Sequence, residues 1–362
     1  MKRLFARVAA VILAATLVFS CKAISASSGI LLDAQTGRVL YEKDADKQSL
    51  IASTTKIMTA LIVCEQANVL DRVRIPPEAV GIEGSSMYLK AGEVMTVQEL
   101  LYGLMLHSGN DAAVALAIYC GGTVEGFAEL MNDKAHRLGL NNTHFVNPNG
   151  LDAPGHYSTA RDMAVLAAYA MDNPIFAQTV STKTVAAGGR HLRNHNKLLW
   201  LLQGADGVKT GFTKKAGRIL VSSCTRQGRR LIAVTMNDGN DWKDHQALME
   251  QGFSQYSVQQ LVQKGECVGA LSVISGENDR VELLADADFF YALSQGERTE
   301  IVISEPHFIY APVVKGQNAG FANICLNGKS VGKVPLVYGD TVEQEEMKEP
   351  SVWEKLLKGG RS

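Results

Sequence analysis

Ser53-Thr54-Thr55-Lys56 sets a hydroxyl and an amine three residues apart, where Ile57, Ala60, Leu61 and Cys64 begin to recur at helical spacing. On one side of a helix start the two groups touch. Serine is a weak nucleophile until a base takes its proton. Lysine, with an ordinary pKa of about 10.4, serves as that base only where burial and neighbouring charge favour the neutral amine. A helix start also aims backbone N–H groups at a carbonyl under attack. The predicted chemistry is acyl transfer, with Ser53 as nucleophile and Lys56 as base. Alone, the string is common and reads as a capped helix with a solvent lysine.

Two further groups of residues suit the same chemistry. Ser108-Gly109-Asn110 offers a hydroxyl and an amide from a turn between two helical segments; they could pass a proton to a leaving amine and hold a peptide by hydrogen bonds. Lys209-Thr210-Gly211, followed by Phe212, puts a cation and a hydroxyl beside a glycine that lets a ligand approach a strand edge, which suits a carboxylate. Each tripeptide alone reads as an ordinary cap or strand end. Together, in this order and on these elements, the three describe one site.

The elements that must position them follow from the same pattern. Residues 29–33 and 38–42 are β-type runs joined by Ala34-Gln35-Thr36-Gly37, a hairpin signal. Helical periodicity covers residues 97–105 and 111–119, strand character returns at 207–210, 217–224 and 230–236, and a helix is predicted over 242–261. Strands, helices, strands, helix imply an α/β (α+β) fold, in which both chain ends build one antiparallel sheet with a helical insert beside it and the site lies in the cleft between. After residue 264 short alternating runs imply a small all-β domain.

The three motifs resemble those of the penicillin-recognising serine enzymes, which include the penicillin-binding proteins and the serine β-lactamases. Further stretches bring the resemblance closer to the low-molecular-weight D-alanyl-D-alanine carboxypeptidases: Leu31-Leu32-Asp33-Ala34 with Thr36-Gly37-Arg38-Val39-Leu40, Asn147-Pro148-Asn149-Gly150-Leu151, Tyr157-Ser158-Thr159-Ala160-Arg161-Asp162-Met163, and Asn196-Lys197-Leu198-Leu199. The resemblance is firm over residues 29–261 and looser over the β domain. It implies catalytic roles for Ser53, Lys56, Ser108 and Lys209, and substrate contacts from Asn110, Lys209, Thr210, Gly211 and Phe212, with backbone N–H groups of Ser53 and Phe212 as the oxyanion hole. The implied substrate is a peptidoglycan stem peptide ending in D-Ala-D-Ala, and the implied inhibitors are β-lactams. Alternatives are a β-lactamase of the same fold and a catalytically silent wall-binding protein. Asn149 stands where many relatives carry histidine, and the tail is shorter than the family's usual amphipathic anchor.

With 362 residues, 46% of them hydrophobic, the chain can bury two cores; a net charge of -1 and a pI near 6.7 offer nothing to nucleic acid. Lys2, Arg3 and Arg7, the apolar run 8–19, and the small residues Ala23, Ser25 and Ala26 form a secretory leader over residues 1–26. Its rivals are an uncleaved anchor and a lipid-modified Cys21. The chain is therefore expected to work outside the cytoplasm, in the cell wall or periplasmic space. The expected division is 27–263 for the peptidase domain, 264–343 for the β domain and 344–362 for a tail whose Val352, Trp353, Leu356 and Leu357 either rest on a membrane surface or fray. The five cysteines after the leader lack disulfide or metal spacing and read as structural. No cofactor is called for: His191 and His195 are spaced like metal ligands but lack a third. His107 and Asp111 admit a Ser-His-Asp triad that needs more assumptions than Lys56 does.

Overall fold

The computed structural model describes residues 24–303 and 308–346. The leader apart from its last three residues, Cys21 and the apolar tail lie outside them. Strands β1 (Ser28–Asp33) and β2 (Val39–Lys43) open the chain. A 3-10 turn, Ala52–Thr55, then runs into helix α1 (Lys56–Gln66). The hairpin of β3 (Arg72–Arg74) and β4 (Val94–Thr96) precedes α2 (Val97–Leu106), α3 (Asn110–Gly121), α4 (Val124–Arg137), α5 (Ala160–Met171) and α6 (Pro174–Ser181). A second hairpin, β5 (Thr184–Ala187) and β6 (Arg190–Arg193), and the short α7 (Leu198–Leu201) lead into β7 (Ala205–Thr213), β8 (Gly217–Arg226), β9 (Arg229–Met236) and α8 (Asp241–Gln255).

The main sheet is antiparallel, in the order β2-β1-β9-β8-β7, so both chain ends build it as expected. Its central strands are buried on both faces. Along β1, β8 and β9, Ile30, Leu32, Ile219, Val221, Ile232 and Val234 face the large core with α1, α2, α3 and α5, while Leu31, Leu220, Leu231 and Ala233 face α7 and α8. That is the period-two alternation of a sheet covered by helices on both sides. The β1–β2 turn is fixed by buried Asp33, whose carboxylate accepts bonds from the Gln35 and Thr36 N–H groups and pairs with Arg229 at 2.7 Å. α1 is buried along Lys56–Cys64, as befits a helix apolar on all sides.

The helix predicted over 242–261 ends at Gln255. Residues 256–262 form β10 instead: Tyr256 and Val258 alternate with polar residues, and after a register shift past Gln260 the strand buries Val262. β10 pairs with β13 (Phe289–Ser294). The second part of the chain adds β11 (Cys267–Ile274), β12 (Arg280–Ala285), β14 (Thr299–Ile303), β15 (Phe308–Tyr310), β16 (Asn318–Leu326) and β17 (Lys329–Tyr338), in the order β14-β16-β17-β12-β11-β15 around its own core. Arg38 joins the two parts. It forms a bidentate ion pair with Glu297 at 2.7 and 2.6 Å, donates to the Ala292 carbonyl, and lies over the Tyr256 and Tyr291 rings. Among the described residues no single helix is long and apolar enough to cross a membrane.

Candidate active site

Ser53 sits in the 3-10 turn rather than in α1 itself. Such a turn has three residues per revolution, so it stacks residue i directly over i+3. Ser53 Oγ lies 3.0 Å from Lys56 Nζ. Ala52, at φ +46°, turns the chain sharply just before the serine. Against this bend rests Gly150, whose own φ is +85°; a Cβ there would stand 1.9 Å from the Ala52 carbonyl oxygen.

Lys56 is fully buried, and its ammonium reaches two more atoms: Asn110 Oδ1 at 2.6 Å and the Asn149 carbonyl at 2.6 Å. Both can only accept. The orientation of the Asn110 amide is set because its Nδ2 donates to the Glu83 carbonyl. Burial, reinforced by the charge of Lys209 and partly offset by Asp111, holds the Lys56 pKa well below the ordinary lysine value. A neutral amine has two protons and one lone pair. With both protons committed to carbonyl oxygens, the lone pair faces Ser53 Oγ.

Lys209, on β7, is likewise buried, and burial lowers its pKa to about 7; its ammonium donates to the Thr210 carbonyl at 2.9 Å. β7 is the last strand of its sheet, so one rim of its backbone is open to the cleft. Gly211 lets this rim approach the nucleophile: a Cβ there would meet the Ile51 carbonyl at 3.2 Å and Ala52 Cβ at 3.3 Å. The Phe212 side chain is exposed.

Ser108 is buried and holds φ +64°, a conformation that costs a non-glycine residue roughly 1–3 kcal/mol and is kept only where surroundings impose it. The Gly109 N–H donates to the Gly103 carbonyl and the Asn110 N–H to the Ser85 carbonyl, and Asp111 fastens the neighbouring loop from the next residue. Its carboxylate accepts from Ser86 Oγ and from the Met87 and Leu89 N–H groups, binding loop 83–90 against the Ser108-Gly109-Asn110 turn. That engagement removes Asp111 from any triad with His107, whose ring packs instead 5.2 Å from His195. The structure brings Ser53, Ser108, Thr210, Gly211 and Phe212 to the wall of one cleft of about 750 Å³, with His107, His191, His195, Trp200 and Trp242 farther along it. Lys56, Asn110 and Lys209 lie buried beside it. Among the described residues no group of three metal-ligating side chains converges.

Sequence reading missed two supports. The Asn149 position contributes its backbone carbonyl to Lys56, while its side chain accepts from the Leu151 N–H, so the residue type there matters less than the loop's path. His156, buried, accepts the Val146 N–H on Nδ1 and therefore donates from Nε2 to Thr55 Oγ1 at 2.8 Å. Thr59 donates to the Pro148 carbonyl at 2.6 Å. The only signal for this loop was its likeness to the family.

A half-buried serine beside a fully buried lysine at the start of a central helix, a serine on a strained turn and a Lys-Thr-Gly edge strand define a serine acyl-transfer enzyme of the penicillin-recognising class. The family model described as D-alanyl-D-alanine carboxypeptidase matches residues 15–240, and that of the penicillin-binding protein 5 C-terminal domain matches residues 256–344. The chain belongs to the D-alanyl-D-alanine carboxypeptidase family and is a serine-type peptidase. It is 34% identical over 333 residues to the D-alanyl-D-alanine carboxypeptidase DacF of Bacillus subtilis, covering 86% of this chain and 84% of that protein. It is 35% identical over 342 residues to DacA of Escherichia coli K12, covering 89% and 85%. Penicillin-binding protein 5 of Haemophilus influenzae superposes with a TM-score of 0.78 at 32% identity, over 89% of this chain and 98% of that one.

Proposed function

We propose that this enzyme removes the terminal D-alanine from peptidoglycan stem peptides through an ester on Ser53, outside the cytoplasmic membrane, and that β-lactams acylate the same serine. The observation that carries the assignment of roles is the 3.0 Å Ser53–Lys56 contact, with the remaining amine protons held by acceptors. The peptide adds along the open rim of β7, with its carboxylate on Lys209 and Thr210. Lys56 takes the Ser53 proton as Oγ attacks the penultimate D-alanine carbonyl. The oxyanion is held by the backbone N–H groups of Ser53 and Phe212, a contribution of about 2.7–4 kcal/mol per donor. Ser108, with Lys209 behind it, relays that proton from Lys56 to the amine of the departing D-alanine, which leaves Lys56 neutral again. Water, deprotonated by Lys56, then cleaves the ester. Asn110 retains one lone pair on Oδ1 and one N–H on Nδ2 for a substrate amide beyond its bonds to Lys56 and Glu83.

We assign residues 24–255 to the peptidase domain, the strands from Tyr256 onward to the β domain, and to the tail weak contact with a membrane surface. The test of function is D-alanine release from a peptide ending in Lys-D-Ala-D-Ala. Release by the wild type that vanishes in Ser53→Ala is the expected result; release that persists in the variant contradicts it. A well-folded wild type that releases no D-alanine would leave transpeptidation or silent binding.

A further inference from the structure

The first described residues are not a loose end. Ile24 and Ala26 are buried, and the Ala26 carbonyl accepts from Lys43 Nζ at 2.6 Å. The Ser25 N–H donates to Asp244 Oδ2 at 2.6 Å, and Ser25 Oγ lies 2.5 Å from Asp238 Oδ1 and 2.9 Å from Asp244 Oδ2. The Ser27 N–H then donates to the Met236 carbonyl, directly ahead of β1. Residues 24–26, placed in the leader by sequence, are thus built into the catalytic domain.

Two carboxylates meet at Ser25, and among the described residues no lysine, arginine or histidine pairs with either. Asp238 is completely buried, and its Oδ2 has no hydrogen-bond partner. An unpaired buried carboxylate oxygen is costly and calls for a cation. Burial, with Asp244 adding its negative charge, raises the Asp238 pKa even though Ser25, the Asn240 N–H and the Thr235 hydroxyl oppose the shift. The nitrogen of Ile24 is one residue upstream of the Ser25 N–H, no more than one Cα step of about 3.8 Å away along the chain. While a leader is attached, that nitrogen is an uncharged amide.

We infer that the leader is cut between Ala23 and Ile24, and that the new α-ammonium of Ile24 is the counter-ion of Asp238 and Asp244. Cys21-Lys22-Ala23 has the small residues that a leader peptidase requires three and one positions before its cut. Water adds across the Ala23–Ile24 bond, leaving a carboxylate on Ala23 and an amine on Ile24 that is protonated at neutral pH. A cut after Ser25 also satisfies the small-residue rule, with Ala23 third before it, but it would discard buried Ile24 and the Ser25 bonds. Maturation would then lock the start of β1 to the end of β9 and the first turn of α8, beside Asp241, which pairs with Arg218 at the cleft.

The inference rests on the leader reading, and the first experiment separates the two. The full chain is secreted from a bacterial host, and its product is examined by N-terminal sequencing and intact mass. A chain beginning at Ile24 is expected. A start at Ala26 or Ser27 overturns the position and spares the leader; a retained or lipid-modified leader overturns both. The second experiment compares the melting of the authentic Ile24 chain with that of a chain carrying a short Gly-Ser extension before Ile24, each with and without Asp238→Asn. The extension is expected to lower the midpoint by about 2–4 °C, and Asp238→Asn to abolish that difference. Equal melting of authentic and extended chains, or a difference that survives Asp238→Asn, overturns the ion pair.

Discussion

At the residue scale the site depends on where two buried lysines keep their protons. Lys56 must be neutral to accept the Ser53 proton, whereas Lys209 must be charged to hold a carboxylate. Both are buried, but only Lys56 also feels a second lysine as a leading cause of its lowered pKa. With the Lys209 pKa near 7, raising the pH through that value discharges it. KM for a peptide with a free C-terminal carboxylate is expected to rise above pH 7, more steeply than KM for the corresponding C-terminal amide, in steady-state D-alanine assays. Parallel profiles for the two substrates would remove Lys209 from carboxylate binding. Ser53 and Lys56 were legible as a local pair, three residues apart, while Ser108 and Lys209 were legible only in the set of three motifs and the family that set resembles. Asp111 and His156 were not: Asp111 acts through backbone N–H groups of Met87 and Leu89, and His156 joins the Val146 N–H to the hydroxyl of Thr55, far off in sequence.

At the element scale, the nucleophile is presented by a 3-10 turn pressed between loop 147–151 and strand β7. Gly150 is the tightest point, combining a positive φ with the Ala52 carbonyl 1.9 Å from where a Cβ would stand. Gly150→Ala must therefore move the turn or the loop. It is expected to slow acylation by a fluorescent penicillin at least tenfold, about 1.4 kcal/mol of barrier, and to lower the melting midpoint. An unchanged acylation rate would show that the Ala52 bend does not set the Ser53 geometry. The antiparallel sheet built from both chain ends and the helical insert beside it were readable from periodicity; the strand order was not. The 256–262 strand was not, because a short alternating run after a helix also fits a helix continuation; its partner β13, more than 25 residues on, decides the matter.

At the scale of the whole molecule, buried neutral histidines tie layers together. His245 bridges Ser222 on β8 and Thr235 on β9 from α8, with a pKa lowered by burial to about 3, and His156, lowered to about 4, ties the Ala52–Thr55 turn to loop 146–156. In the unfolded chain both take up protons near pH 6.5, while in the folded chain both resist. The unfolded state therefore binds more protons as pH falls below 6.5, and stability is lost progressively from there toward pH 4. Urea midpoints measured from pH 7.5 to pH 4.5 are expected to fall, and His245→Gln is expected to flatten the slope. A midpoint independent of pH over that range would contradict this account. The division into two parts was legible as a change in texture. The Arg38 clamp between them was not, since its partners Glu297 and Ala292 lie some 250 residues away.

The most direct test of the central claim, that Lys56 is a neutral base aimed at Ser53, is the pH profile of Ser53 acylation by penicillin under single-turnover conditions. The account predicts an acidic limb well below the ordinary lysine pKa, with Lys56→Met slowing acylation by about 10²–10⁴-fold while the fold is retained. An acylation rate that still climbs toward pH 10, or one that Lys56→Met leaves unchanged, would contradict it.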